Sequence, residues 1–261
     1  MTAIVRIRVE FKYSRQHSKN QPLRRIRQWK MPDNLLTVRL ADVRARIRRA
    51  ERQFGRPLGS VSLIAVSKTK NSAAIRAAAA LGQRDFGENY VQEFLGKAIE
   101  LADLSLCWHF IGHLQSNKTR EVAAHCDWIH TVDRERVARR LNDQRPSERS
   151  ALNVCIQVNL HNESNKAGVA PEKLEALAAA VRDMPRLRLR GLMAIPEAET
   201  DFQRQRKTFA EIHQIAEELR QRGTDLDTLS MGMTGDMEAA IAEGATHVRI
   251  GTAIFGPRAA R

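Results

Sequence analysis

No apolar run in the 261-residue chain approaches the roughly twenty residues that a bilayer-spanning helix needs, which predicts a soluble protein. The basic residues at the amino terminus are not followed by a long apolar core, so the chain shows no secretory pattern. Cysteine is scarce. Cys107, Cys126 and Cys155 lie far apart without a Cys-x-x-Cys pair, which fits neither a disulfide framework nor a cysteine zinc site. A reducing cytoplasm is therefore the expected compartment. Asn162-Glu163-Ser164 matches a glycosylation acceptor, but without a secretory signal it carries no weight. Tyrosine is scarcer still, with Tyr13 and Tyr90 alone.

Acidic residues are too few to balance the charge, and the net +13 invites a nucleic-acid reading. The surplus is local, however. Residues 1–30 hold nine Lys/Arg against one acid, Glu10, and so carry +8 of the total. A nucleic-acid-binding module would depend on this stretch almost entirely, and no specific nucleic-acid partner is expected. Met31 opens Met-Pro-Asp-Asn-Leu-Leu and leads into a regular helical pattern. Residues 1–30 are accordingly expected to be a disordered basic extension, translated from upstream of the true start, and 31–261 the folded domain.

Leu35, Val38, Leu40, Val43, Ile47 and Ala50 fall at helical spacing and predict an amphipathic helix over about Asn34 to Gln53. Short apolar runs then recur, each followed by a helical pattern. Strands are expected at Ser62 to Ser67, Asp85 to Gly87, Trp108 to Ile111, Trp128 to Val132, Leu152 to Val158, Leu189 to Ala194, Thr228 to Met231 and His247 to Ile250. Strands joined by helices must run parallel. Eight such units close naturally into a single (β/α)8 barrel of the TIM type, whose functional site lies at the carboxyl ends of the strands. A doubly wound open sheet would want Gly-x-Gly-x-x-Gly after the first strand, and Ser67 to Ser72 contains no glycine. The expected architecture is thus one α/β barrel preceded by an amino-terminal helix, without a second domain.

The residues just past the strands hold the chemistry. Lys68 follows the first strand, where a neutral amine can form an imine, and enclosure beside cations such as Arg249 would lower its pKa in that direction. The loops after strands seven and eight read Ser-Met-Gly-Met-Thr-Gly-Asp and Arg-Ile-Gly-Thr-Ala. Barrels commonly bind phosphate there. Gly232, Gly235 and Gly251 would let backbone amides approach an anion, Thr234 and Thr252 would add hydroxyls, and a helix near Asp236 would point its amino terminus at the same place. A lysine and a phosphate cup placed diametrically in one mouth suit a phosphorylated aldehyde held as an imine, which pyridoxal phosphate satisfies at both ends. His109 and His113 straddle a strand and its exit, so no metal site is expected from them; His109 and His247 read as core histidines.

Several motifs together strengthen this reading. Ala65-Val66-Ser67-Lys68-Thr69-Lys70, Phe86-Gly87-Glu88-Asn89-Tyr90-Val91-Gln92-Glu93, Trp108-His109-Phe110-Ile111-Gly112, Leu114-Gln115-Ser116-Asn117-Lys118, Gly191-Leu192-Met193-Ala194-Ile195-Pro196 and Arg249-Ile250-Gly251-Thr252-Ala253-Ile254-Phe255-Gly256 occur in order from about Met31 onward. Across that length the chain resembles the pyridoxal phosphate homeostasis proteins, the YggS/PROSC family. The resemblance implies that Lys68 forms the internal aldimine, that Thr234, Gly251 and Thr252 hold the phosphate, and that Arg249 faces the pyridine nitrogen. It places Asn89 and Met231 beside the cofactor and implies the barrel of the alanine racemase type. The chain departs from the family pattern at Thr234, commonly serine, at Gly235, commonly polar, and at His113, often proline.

Two functions follow from the resemblance. A carrier would hold pyridoxal 5'-phosphate reversibly, limit free aldehyde, supply apo forms of the enzymes that use it, and so maintain vitamin B6 and amino-acid homeostasis, without being an enzyme. An amino-acid racemase would need a second base on the opposite face of its substrate, which related barrel enzymes take from an additional domain. Tyr90 would have to serve here. The carrier is the expected function, working as a monomer or weak dimer, with Lys70, Lys118 and Lys166 near the mouth.

Overall fold

In α1 (Asn34–Gln53), a 20-residue helix, Leu36, Leu40, Val43, Ile47 and Ala50 recur at three- and four-residue intervals and are buried as one stripe. Leu35 and Val38, expected in that stripe, are half exposed, because the stripe begins one residue later, at Leu36. The structure, a computed structural model, describes residues 34–161 and 167–257. The expected disorder of residues 1–30, the Asn162-Glu163-Ser164 sequence and Lys166 lie outside the described residues.

Strand and helix then alternate: β1 (Ser62–Val66), α2 (Ser72–Ala80), β2 (Asp85–Glu88), α3 (Val91–Glu100), β3 (Cys107–Phe110), a 3-10 turn (Ser116–Lys118), α4 (Thr119–His125), β4 (Trp128–Val132) and α5 (Glu135–Gln144). The second half continues with β5 (Leu152–Val158), α6 (Pro171–Arg182), β6 (Leu187–Ala194), α7 (Phe202–Gln221), β7 (Thr228–Ser230), α8 (Met237–Ala242), β8 (His247–Ile250) and α9 (Thr252–Phe255). Each strand pairs in parallel with the next, and β1 also pairs with β8, Ser62 opposite His247 and Ala65 opposite Ile250. The eight strands therefore form the closed barrel, and an open sheet with free edges is excluded.

Local chemistry sets the element ends. Asn71 caps α2: its side chain accepts the Ala74 amide at 3.0 Å. Ser72 instead donates its hydroxyl to Glu100 on α3 at 2.6 Å. Pro171 occupies the first turn of α6, where its missing amide costs nothing. The principal core lies between the strands and the surrounding helices, with Phe86, Phe94, Phe110 and Phe209 fully buried. Burial of each such side chain contributes roughly 1.5–3 kcal/mol. Among the described residues no helix is long and apolar enough to cross a membrane.

Candidate cofactor site

Because the strands are parallel, every exit faces one mouth of the barrel, and because β1 lies beside β8, Lys68 is a neighbour of Gly251 and Thr252. The expected diametric placement of lysine and phosphate loop is thereby corrected. One cavity of about 340 Å³ is lined by Lys68, Asn89, Thr234, Gly235, Arg249, Gly251 and Thr252, with Val66, Ile111, Ile195 and Met233 as its apolar wall. Met231, expected beside the cofactor, is fully buried in the core and does not line the cavity. Met233, two residues on, is 37% exposed and lines the cavity.

The turn that carries Lys68 is pinned on both sides. The Ser67 amide donates to the Gly87 carbonyl at 3.0 Å, and the Lys70 amide closes back on the Ser67 carbonyl at 3.0 Å. Thr69 lies in the left-handed region at φ 64, a conformation that costs a non-glycine residue energy unless the surroundings enforce it. They do, since the Thr69 amide donates to Glu93 Oε2 at 2.9 Å. Beneath the turn, the buried Lys97 ammonium donates to the Ser67 carbonyl at 2.9 Å and to Glu88 Oε1 at 2.8 Å, and the Ser67 hydroxyl donates to that same oxygen at 2.6 Å. Glu88, the last residue of β2, is thus a buried anchor outside the cavity lining. Burial pushes its carboxyl pKa up, outweighing the hydrogen bonds from Lys97 and Ser67.

The loop after β7 is held from outside. Gly232 adopts φ 94, and a Cβ there would come within 2.6 Å of the Ala240 methyl, so only glycine lets the loop turn against α8. Arg46 on α1 donates to the Thr234 carbonyl at 3.2 Å while paired with Glu238 at 2.8 Å, and Gln205 on α7 donates to the Gly235 carbonyl at 3.3 Å. Asp236 accepts the Met233 amide at 2.5 Å. Among the described residues the amides of Thr234, Gly235 and Thr252 have no protein acceptor. Gly235 is not required by crowding: a Cβ there would meet open space. Gly112 fixes Asn89 instead, because a Cβ at Gly112 would lie 2.0 Å from the Asn89 carbonyl oxygen.

Arg249 is buried at the floor of the cavity. Its Nη1 donates to the Ser230 carbonyl at 2.6 Å and the Ser230 hydroxyl at 2.9 Å, and Nη2 donates to the Ala194 carbonyl at 2.9 Å. Burial lowers its pKa to about 10, so the group stays charged near neutrality. Other polar residues just past the strands lie elsewhere. His113 and Gln115 line a neighbouring pocket of about 300 Å³ with Asn89, Tyr90 and Lys118, and Asn159 lines another of about 280 Å³ with Ile195 and Pro196. Lys70 donates to the carbonyls of Phe255 and Pro257, each at 3.2 Å. Local sequence did not single out Arg46 or the link from Lys97 to Ser67 and Glu88, because these partners come from other elements.

The chain that forms this closed parallel barrel matches the family described as alanine racemase, N-terminal domain, over residues 38–259. A pyridoxal phosphate homeostasis protein of Pseudomonas aeruginosa is 58% identical over 219 residues, covering 84% of this chain and 94% of the relative. That of Escherichia coli K12 is 52% identical over 228 residues, covering 86% and 97%. Among solved structures, PipY of Synechococcus elongatus with pyridoxal phosphate (PLP) bound is 41% identical at a TM-score of 0.75, covering 85% of this chain and all of that one. The chain belongs to the pyridoxal phosphate homeostasis protein family.

Proposed function

We propose that this protein binds pyridoxal 5'-phosphate at the mouth of its barrel, holds it covalently through Lys68, and carries and buffers it for the apo forms of enzymes that use it. One observation carries the reading: a single cavity gathers an amine, a set of unpartnered amides with two threonine hydroxyls, and a buried guanidinium. The residues fit the cofactor. Gly235 opens onto free space where a Cβ would otherwise stand, and Asn89 Oδ1 is buried without a hydrogen-bond partner among the described residues. PipY, 41% identical, holds pyridoxal phosphate in its solved structure.

In this assignment Thr234, Gly235, Gly251 and Thr252 hold the phosphate, as helix-start and loop amides hold anions generally. Asn89 offers its orphaned oxygen at the cavity wall, and Arg249 faces the ring nitrogen. When bound, the cofactor supplies an electrophilic aldehyde carbon conjugated to an electron-withdrawing ring. Arg249 keeps its proton and its charge, which disfavours protonation of a nitrogen beside it. The ring is then a weaker electron sink than one facing a carboxylate, and binding is favoured over carbanion chemistry. A racemase would need a second base in the cavity, and Tyr90, the one tyrosine among the described residues, lines the neighbouring pocket instead.

The test is the absorbance spectrum of the purified protein before and after borohydride, with peptide mapping of the reduced adduct. A near-visible band with the label on Lys68 is expected. Lys68→Ala should eliminate the label, and Arg249→Glu should shift the band while leaving phosphate retention in place. A colourless protein that pyridoxal phosphate does not reconstitute would sink the assignment.

A further inference from the structure

Two buried histidines that the proposed site does not use connect its floor to the opposite end of the barrel. His109, His130 and Ser230 are each at most 1% exposed. Asp85, the first residue of β2, stands at the amino-terminal end of the strands with its side chain 36% exposed. Its Oδ1 is 3.1 Å from His109 Nε2. His109 Nδ1 is 2.9 Å from His130 Nε2, and His130 Nδ1 is 2.8 Å from the Ser230 hydroxyl, to which Arg249 Nη1 donates at 2.9 Å. The four contacts form an unbroken line through the barrel interior from Asp85 to Arg249.

The direction of the line is fixed by its ends. A guanidinium can only donate, and an ionised carboxylate can only accept. Ser230 Oγ receives Arg249, so its single proton is left for His130 Nδ1. His130 must then carry its proton on Nε2 and give it to His109 Nδ1. His109 in turn carries its proton on Nε2 and gives it to Asp85. Every hydroxyl and ring nitrogen in the line is satisfied in this polarity. In the reverse polarity the Ser230 oxygen would face two donors, with its own proton lacking an acceptor among its contacts. Burial keeps His130 neutral, as the one-proton polarity requires. At the far end, burial opposes ionisation of Asp85, but the hydrogen bonds it accepts from His109 and Cys107 favour the carboxylate, and its pKa lies below the usual value.

We propose that His109, His130 and Ser230 form a one-way hydrogen-bonded chain that carries the charge of Asp85 to Arg249, making both histidines positioning residues for the guanidinium on the cavity floor. Each dipole in the chain turns its negative end toward Arg249, and linked hydrogen bonds polarise one another in a medium of low dielectric. The distant carboxylate thereby stabilises the buried cation without occupying the cavity. The consequence for the cofactor rests on the reading of Arg249 as the residue that faces its ring nitrogen. The chain itself does not.

The test uses the full chain without added cofactor, with nitrogen-15 in its imidazole and guanidinium groups. Both His109 and His130 are expected to show a bare Nδ1 and a protonated Nε2. Asp85→Asn should move the Arg249 guanidinium signal, and Asp85→Ala, which leaves no acceptor, should move it further. Ser230→Ala cuts the chain yet keeps the Ser230 carbonyl bond to Arg249, so in that background Asp85→Asn should leave the Arg249 signal unmoved. In titrations with pyridoxal phosphate, Asp85→Asn should weaken retention about threefold, and Ser230→Ala should erase that difference, as expected of coupled rather than independent sites. A protonated Nδ1 on His130, or an effect of Asp85→Asn on Arg249 undiminished by Ser230→Ala, overturns the proposal. A wild-type protein that takes up no pyridoxal phosphate overturns the functional reading, while the Arg249 signals still decide the chain.

Discussion

Lys97 holds the turn of Lys68 from below with one buried ammonium, shared between the Ser67 carbonyl and Glu88. Removing one partner of a buried ion pair strands the other, at a cost of about 3–5 kcal/mol, whereas replacing both by apolar residues is often neutral. Lys97→Met should therefore destabilise the fold by about 3 kcal/mol in urea denaturation, and Glu88→Leu added to it should recover most of the loss. An undiminished midpoint in Lys97→Met would show that the pair is dispensable. His247 supplies a second residue-scale prediction. Burial lowers its pKa from 6.5 to about 4, so between those values the unfolded chain binds a proton that the folded one does not. Stability on its account is full above pH 6.5 and falls as the pH drops toward 4. His247→Gln should remove about 2 kcal/mol of the stability lost between pH 7 and pH 5, read from urea midpoints at the two values. At this scale the sequence exposed Lys68 and Arg249 through their positions at strand ends. It could not separate Met231 from Met233, because two residues in one loop differ only in which way the chain turns at Gly232.

Helices and strands were legible where burial imposes a period. β4, β5 and β8 have the expected boundaries because apolar runs are bounded by turn residues on both sides. The cap of α2 was not, since Asn71 and Ser72 are both good capping residues and only the Ala74 amide decides between them. Nor was α9, four residues long and too short to show a helical period. The role of α1 was also hidden: its apolar stripe announces a helix, but nothing in it announces that Arg46 on the polar face reaches the loop after β7. That reach is a testable property of the element. Arg46→Ala removes the bond to the Thr234 carbonyl, worth about 1 kcal/mol, and should weaken retention of pyridoxal phosphate about fivefold. Competition by inorganic phosphate should weaken in parallel, because the loop and not the amine is affected. Loss of binding to the aldehyde end alone would contradict the assignment of that loop to the phosphate.

Across the whole molecule, eight alternations of strand and helix give the barrel without any tertiary information, because each strand must be covered and each connection must return the chain to the same end. The barrel interior was legible only in part: His109 and His247 read as core histidines, but their meeting with His130 did not show. Its histidine layer draws one residue from each of β3, β4 and β8, and nothing in any one strand reveals the other two. The same architecture bears on whether the protein carries its ligand or transforms it. A racemase must place a base on each face of the reacting carbon. The described cavity offers Lys68 on one side, while Tyr90 is 56% exposed and lines the adjoining pocket. A carrier needs only a reversible bond and an open mouth. Protein loaded with pyridoxal phosphate should therefore restore activity to an apo enzyme that requires the cofactor, and loaded Lys68→Ala, washed free of excess ligand, should not. In heavy water the same loaded protein should leave the α-hydrogen of L-alanine unexchanged over many turnovers of an authentic racemase. Exchange at a comparable rate would mean that a second base reaches the cavity, and the carrier assignment would give way to catalysis.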